Sequence, residues 1–493
     1  MQKVSLKTNA LLNAFRTLVN ILFPLITFKY ASEVLMADNL GKVNFSSSII
    51  SYFVLIADFG IGTYASREGA KYRSDKDSFQ RFASNIFTIN VYATLVSYVL
   101  LLILVANSNK IEAYKWVLGV QSITMMFTVV GATWINTIFE DFKSILFRSI
   151  FVQIFSLALL FILVRAKEDY LLYASVSVIA QSGASLLNFF YIRKKYIKLS
   201  VHHSNSIFKY IKPLWIVFCT SIATTIYAHS DITMIGIYLT DKDVALYSVA
   251  VKIYTVLKAL FAALLIVEIP RLTEIYYKRE YSTYRHLTIK TFNVLFTLLV
   301  PLIVLIIILG KESILFISSD EFLSAETSLL LLSIAIIVSL YATFVTTALI
   351  LPQGLEKGSF YASIISSLLN IGLNAFFIPI MGIDGAALTT ILSEFSVCCI
   401  LTIFIIKKNK TNLSILADRS TLKNFYKILL GLAVMVFMGL FLSSTVVGFW
   451  NRCIFISFIS TCVYVVTLLI LKHEVMIKLI QSLIIKIKKY RNV

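Results

Sequence analysis

The strongest constraint on this chain is a succession of apolar runs of about 18 residues or more, separated by short basic connectors. About 20 helical residues cross the ~30 Å hydrocarbon core of a bilayer. Runs of that length fall near 11–28, 45–64, 83–106, 114–136, 145–164 and 170–192, then near 213–238, 244–270, 291–310, 327–351, 359–380 and 384–406, and finally near 428–448 and 451–471. Fourteen spans of about 20 residues would use about 280 positions, which matches a chain of 493 residues that is 58% apolar. Only 14% of residues are charged, far below the ~25% of soluble domains. These figures exclude a soluble enzyme, a disordered chain and a single-anchor protein. The expected fold class is an all-α membrane bundle of about fourteen transmembrane helices.

The charge is +19, from 45 Lys+Arg against 26 Asp+Glu. Its distribution says more than its size. Thirty-two of the basic residues fall in one alternate set of connectors, including 65–82, 193–212, 271–290, 407–427 and the stretch after Leu471, whereas nine fall in the other set. Cytoplasmic loops collect Lys and Arg, so this bias reads as orientation, with both termini cytoplasmic. It gives no reason to expect nucleic acid as a partner.

The remaining landmarks agree with a bundle. Pro213, Pro270, Pro352 and Pro379 are expected at span ends, while Pro24 and Pro301 fall inside spans and should bend them. Trp116, Trp134, Trp215 and Trp450 lie near span ends, as in an interfacial belt. The five cysteines fall in apolar stretches and read as small packing residues. The tail at 472–493 interleaves apolar residues with Lys and Arg. It reads either as a basic helix on an anionic leaflet of membrane lipids or as a helix docked on the bundle.

No phosphate-binding Gly-rich loop is present, the histidines lack metal-ligand spacing, and no connector exceeds about 22 residues. A self-contained ATP-driven pump, a metal site, a required cofactor and a membrane glycosyltransferase are therefore disfavoured. Transport is what remains.

Charges inside spans need an explanation, because each costs at least ~2.5–3.5 kcal/mol at the bilayer centre. Arg16 lies in the first span, Asp58 in the second, Asp231 in the seventh, Lys252 and Lys258 in the eighth, and Glu394 in the twelfth. The two lysines are six residues apart and so occupy different, adjoining helix faces. Lys252 and Asp231 could form a neutral ion pair or belong to a ligand site; both readings stay open.

Several blocks carry a family resemblance. Phe23-Pro24-Leu25-Ile26-Thr27, Leu40 to Phe45, Ile49 to Phe53, Gly60 to Tyr64 and Arg67 to Lys71 resemble the N-terminal signature of Wzx-type polysaccharide flippases of O-antigen and capsule repeat units. These belong to the multidrug/oligosaccharidyl-lipid/polysaccharide exporter superfamily. Gln353-Gly354 with Lys357, the Asn370 to Pro379 run and Gly382 to Ala387 resemble the C-terminal pattern of that superfamily. Lys29 and Glu33 stand where the family often has Pro and Arg, and neither is given a role.

The resemblance implies two six-helix lobes related by a pseudo-two-fold, plus two extra helices: 1–195 as N-lobe, 196–408 as C-lobe, 409–471 as spans 13 and 14, and 472–493 as the tail. It also implies alternating-access flipping of an undecaprenyl-diphosphate-linked oligosaccharide across a bacterial inner membrane, with a polysaccharide polymerase or chain-length regulator as partner. On that reading Arg16, Lys252 and Lys258 bind the anionic substrate, and Asp231, Glu394 and Asp58 couple transport to H⁺ or Na⁺. A cation-coupled multidrug exporter of the same superfamily is the alternative.

Overall fold

The computed structural model describes residues 6–201, 207–266, 268–408 and 419–481. The side chains of 6–18, 20, 21, 266, 419 and 420 are outside that description, so the role expected of the Arg16 side chain falls outside it, and the tail beyond 481 falls outside the described residues.

Every regular element among the described residues is a helix, with no strand. In chain order the helices are α1 Leu6–Asp58, α2 Ile61–Gly69, α3 Lys76–Asn107, α4 Asn109–Glu112, α5 Lys115–Gly131, α6 Thr133–Ile138, α7 Phe142–Leu163, α8 Tyr170–Lys195 and α9 Phe208–Tyr238. Then follow α10 Asp241–Ile266, α11 Ile269–Tyr277, α12 Tyr281–Ile308, α13 Gly310–Ile317, α14 Glu326–Phe344, α15 Glu356–Lys408, α16 Arg419–Thr445, α17 Phe449–Asn451 and α18 Ser457–Ile470. Twelve helical segments among these residues are long and apolar enough to cross a membrane. A bilayer leaves helix as the open-chain solution, because every backbone polar group must be satisfied within its own segment.

Two segments are twice the length of a single span: Leu22–Tyr72 and Glu356–Lys408, of 51 and 53 residues. Met36 at φ 62° breaks the first within α1, and that segment turns again at Phe59 and Gly60; Gly382 at φ 63° breaks the second. The outward loop expected at 29–44 is thus helix on both sides of Met36. No Gly or Pro adjoins Met36 to mark the break; Gly41 lies five residues further on, within regular helix.

The chain forms two compact units. Unit 1 comprises Met1–Val249, Ile317–Phe322 and Asn370–Ala386. Within it α1 is the hub, packing on α3, α5, α7, α8 and α9. Close crossings depend on missing side chains: a Cβ on Gly236 would stand 2.0 Å from the Phe45 ring, and one on Gly41 would stand 1.8 Å from the Asp241 carbonyl oxygen. Small residues let membrane helices approach in this way. Unit 2 comprises Ala250–Phe316, Leu323–Leu369 and Ala387–Val493. There α12 packs on α14 and α16, and α16 on α18.

Two landmarks differ from expectation. Trp134 does not face outward: Ala132 adopts a left-handed conformation between α5 and α6, and Trp134 packs in a core with Phe82, Ile86 and Ile138. Trp116, Trp215 and Trp450 remain exposed. Pro213 lies inside α9 rather than at its end, because the basic segment before it joins the helix. The cysteines also divide, Cys398 being buried and Cys399 and Cys462 exposed.

Candidate functional site

Unit 1 holds a cavity of about 360 Å³ between α1, α5, α8 and α9, where polar side chains stand among Ile50, Val54, Leu55 and Val178. Each helix contributes polar side chains one turn apart: Ser47 and Ser51, Gln121 and Thr124, Ser177 and Gln181, Thr225 and His229. Residues spaced by three or four share a helix face, so the cavity wall is written in the sequence as polar pairs inside apolar runs. Gln121 is held in place by donating to the Val43 carbonyl oxygen at 3.1 Å. Asp58 closes one end of the wall, where α1 stops. The stop is built by Phe59 and Gly60, both at positive φ, and the Gly62 N–H donates to Asp58 Oδ1 at 3.4 Å.

Asp231 belongs to a neighbouring buried network in the same unit. Tyr247 Oη donates to its Oδ2 at 2.8 Å, and Asn374 Nδ2 donates to its Oδ1 at 2.7 Å. Asn374 also donates to Asn370 Oδ1, which accepts from Ser230 Oγ at 2.7 Å. Two residues beyond Asp231 along α9, Thr233 hydrogen-bonds to Ser48 and Tyr52, at 2.9 and 3.1 Å. The Tyr52 ring meets His229, on the cavity wall, edge-on at 6.4 Å. An ionised carboxylate takes hydrogen bonds only as acceptor, and donors placed on both oxygens hold its rotamer.

In unit 2 the structure brings Lys258 and Glu394 together. Lys258 Nζ stands 2.5 Å from Glu394 Oε1, and Tyr254 Oη donates to the same oxygen at 2.6 Å. The Glu394 side chain is 3% exposed and that of Lys258 34%. A cation assigned from sequence to substrate and an anion assigned to ion coupling therefore share one pair. Lys252 is half-buried on the same helix.

Sequence reading missed Tyr247, Tyr254, Asn370 and Asn374, along with the cavity's Gln121, Gln181 and His229. Their signal was available: Asn370 and Asn374 are one turn apart in an otherwise apolar run, and amides at that depth need partners.

A profile for the family described as polysaccharide biosynthesis protein matches residues 6–276. The chain belongs to this family. The matched stretch of the family member includes the whole cavity of unit 1. Two relatives carry the name "Putative O-antigen transporter". The one from Shigella dysenteriae is 23% identical over 364 residues, covering 71% of this chain and 88% of that protein. The one from Escherichia coli strain K12 is 25% identical over 189 residues, covering 38% and 44%. Among solved structures, the lipid II flippase MurJ in an inward closed conformation superposes with a TM-score of 0.72 at 18% identity, covering 96% of this chain and 99% of that one. An inward-facing multidrug resistance MATE transporter of the MOP superfamily gives 0.63 at 14%, covering 82% and 99%. At these identities the family member shares their fold.

Proposed function

We propose that the protein is a flippase for a lipid-linked oligosaccharide, moving undecaprenyl-diphosphate-linked polysaccharide repeat units across the bacterial inner membrane by alternating access. The carrying observation is a cavity with four pairs of polar side chains inside a membrane-spanning unit of a polysaccharide-biosynthesis family member. Its hydroxyls and amides can each donate and accept hydrogen bonds, which is the chemistry a sugar presents. Its volume lies within the range of about 300–1,000 Å³ usual for ligand sites. The O-antigen transporter relatives support the same substrate class.

In this reading Arg16, Lys252 and Lys258 replace water around the diphosphate, while Asp231, Glu394 and Asp58 couple movement to an H⁺ or Na⁺ gradient. Breaking the two long helices at Met36 and Gly382 gives fourteen spans, both termini lie in the cytoplasm, and a polymerase or chain-length regulator receives the product. The lobes are 1–195 and 196–408, followed by spans 13 and 14 at 409–471 and the tail at 472–493.

A second reading, cation-coupled export of multiple drugs, is favoured by one observation: Asp58 is the acid on the cavity wall, and no Lys or Arg lines that wall among the described residues. One experiment separates the two. In a deletion strain, the lipid-linked sugar is measured in each leaflet, with drug efflux assayed beside it. Accumulation in the inner leaflet with unchanged efflux is expected. A normal leaflet distribution with lost efflux would establish the exporter instead.

A further inference from the structure

A second cavity, of about 610 Å³, lies within unit 2 between the first turns of α12, the start of α16 and residues 474–481. Arg285, His286, Lys290 and Lys478 stand around it, against one carboxylate, Glu474. The four are exposed, whereas Asn293 and Asn424 on the wall are 5% and 4% exposed. Beside these polar groups runs an apolar strip of Ile289, Val294, Val475 and Leu479.

The position of the cavity follows from the chain. After Lys290, α12 has no charged residue to its end at Ile308, so its basic turns lie at a membrane edge. Residues 474–481 begin just after α18 ends at Ile470. Lys427 Nζ donates to the Lys472 carbonyl oxygen at 2.9 Å, and Met476 is 6% exposed. The described part of the tail is therefore fastened to unit 2 at the same edge.

We propose that this cavity binds the headgroup of an anionic phospholipid, with the basic side chains around its phosphate and an acyl chain along the apolar strip. Clusters of Lys and Arg at a membrane edge attract acidic lipids, and apolar surface adjoining the cations matches an amphiphile rather than a small hydrated anion. The site makes no use of the sugar cavity in unit 1. The inference stands whether or not the protein moves oligosaccharide.

The test uses the delipidated full-length protein in detergent, with native mass spectrometry counting retained phosphatidylglycerol or phosphatidylcholine of the same acyl chains. Wild type should retain phosphatidylglycerol preferentially. The preference should fall about fivefold for each of Arg285→Gln, Lys290→Gln and Lys478→Gln, the effect of one basic residue near an anionic surface. Substituting Lys71, Lys76 and Arg81 by Gln, which are exposed on unit 1, should leave it unchanged. Equal retention of the two lipids, an unaltered preference in Arg285→Gln, Lys290→Gln and Lys478→Gln, or an equal loss in the unit 1 control would overturn the proposal. Displacement of the lipid by inorganic pyrophosphate at matched concentration would also overturn it, in favour of a free anion.

Discussion

At the scale of single residues, the Lys258–Glu394 pair gives the sharpest experiment. Removing one partner of a buried pair strands the other charge, at about 3–5 kcal/mol. Lys258→Gln should therefore lower both protein level and surface polysaccharide. The double variant Lys258→Gln/Glu394→Gln should regain the level, as read by immunoblot. Polysaccharide that stays absent in the double variant assigns the cation a role toward substrate; polysaccharide that returns limits it to neutralising Glu394. Asp231→Asn raises a different issue, because a carboxylate accepting from both Tyr247 and Asn374 becomes an amide that must offer a donor to one of them. Its transport in proteoliposomes should lose dependence on pH or Na⁺, and an unchanged dependence would leave Asp231 a packing role. The charges themselves were legible because the bilayer makes them conspicuous. Their partners were not, since Tyr254 and Tyr247 resemble any aromatic residue in an apolar run until folding places a carboxylate beside them.

At the scale of elements, helix bodies were legible and their joints were not. Apolar run length fixes where a span lies, but the break at Met36 and the left-handed Ala132 arise from tertiary packing that local composition does not encode. The crossings are as demanding. Gly236→Leu would drive a side chain into the Phe45 ring, and overpacking of this kind costs roughly 1–3 kcal/mol or more. Less monodisperse protein is expected by fluorescence size exclusion, with no such loss for Gly119→Leu, where a Cβ meets nothing within 4 Å. The joint between α6 and α7 behaves differently. Burial alone would raise the pKa of Asp141, but hydrogen bonds from Ser144, Tyr191, Lys195 and Tyr196 outweigh it and hold the carboxylate well below its usual range. The stability it adds is complete above the ordinary carboxylate pKa of about 4 and is lost as pH falls below that. Asp141→Asn should lower thermal stability at pH 7 by about 2 kcal/mol and flatten its decline in acid, measured by melting in detergent from pH 3 to 7.

At the scale of the whole molecule, the 32 to 9 division of basic residues makes a topological prediction. In a cysteine-free background, a single cysteine at Asn109 should react with an impermeant maleimide added to spheroplasts, while one at Ser74 should not. The reverse pattern would invert the orientation. Fold class was legible at this scale because burying backbone polar groups in lipid leaves so few solutions. The composition of the compact units was not, because segments 317–322 and 370–386 join a unit otherwise formed by residues up to 249, and no hydropathy profile records such a return. That return matters for biosynthesis. Chains emerge from the ribosome in order, so unit 1 waits for residue 386, and until then Asp231 is in the bilayer without the Asn374 amide. A nascent chain halted at 249 should thus be a poorer folder than its length suggests, and insertase or chaperone contact with the early helices should persist until more than a hundred further residues have been made.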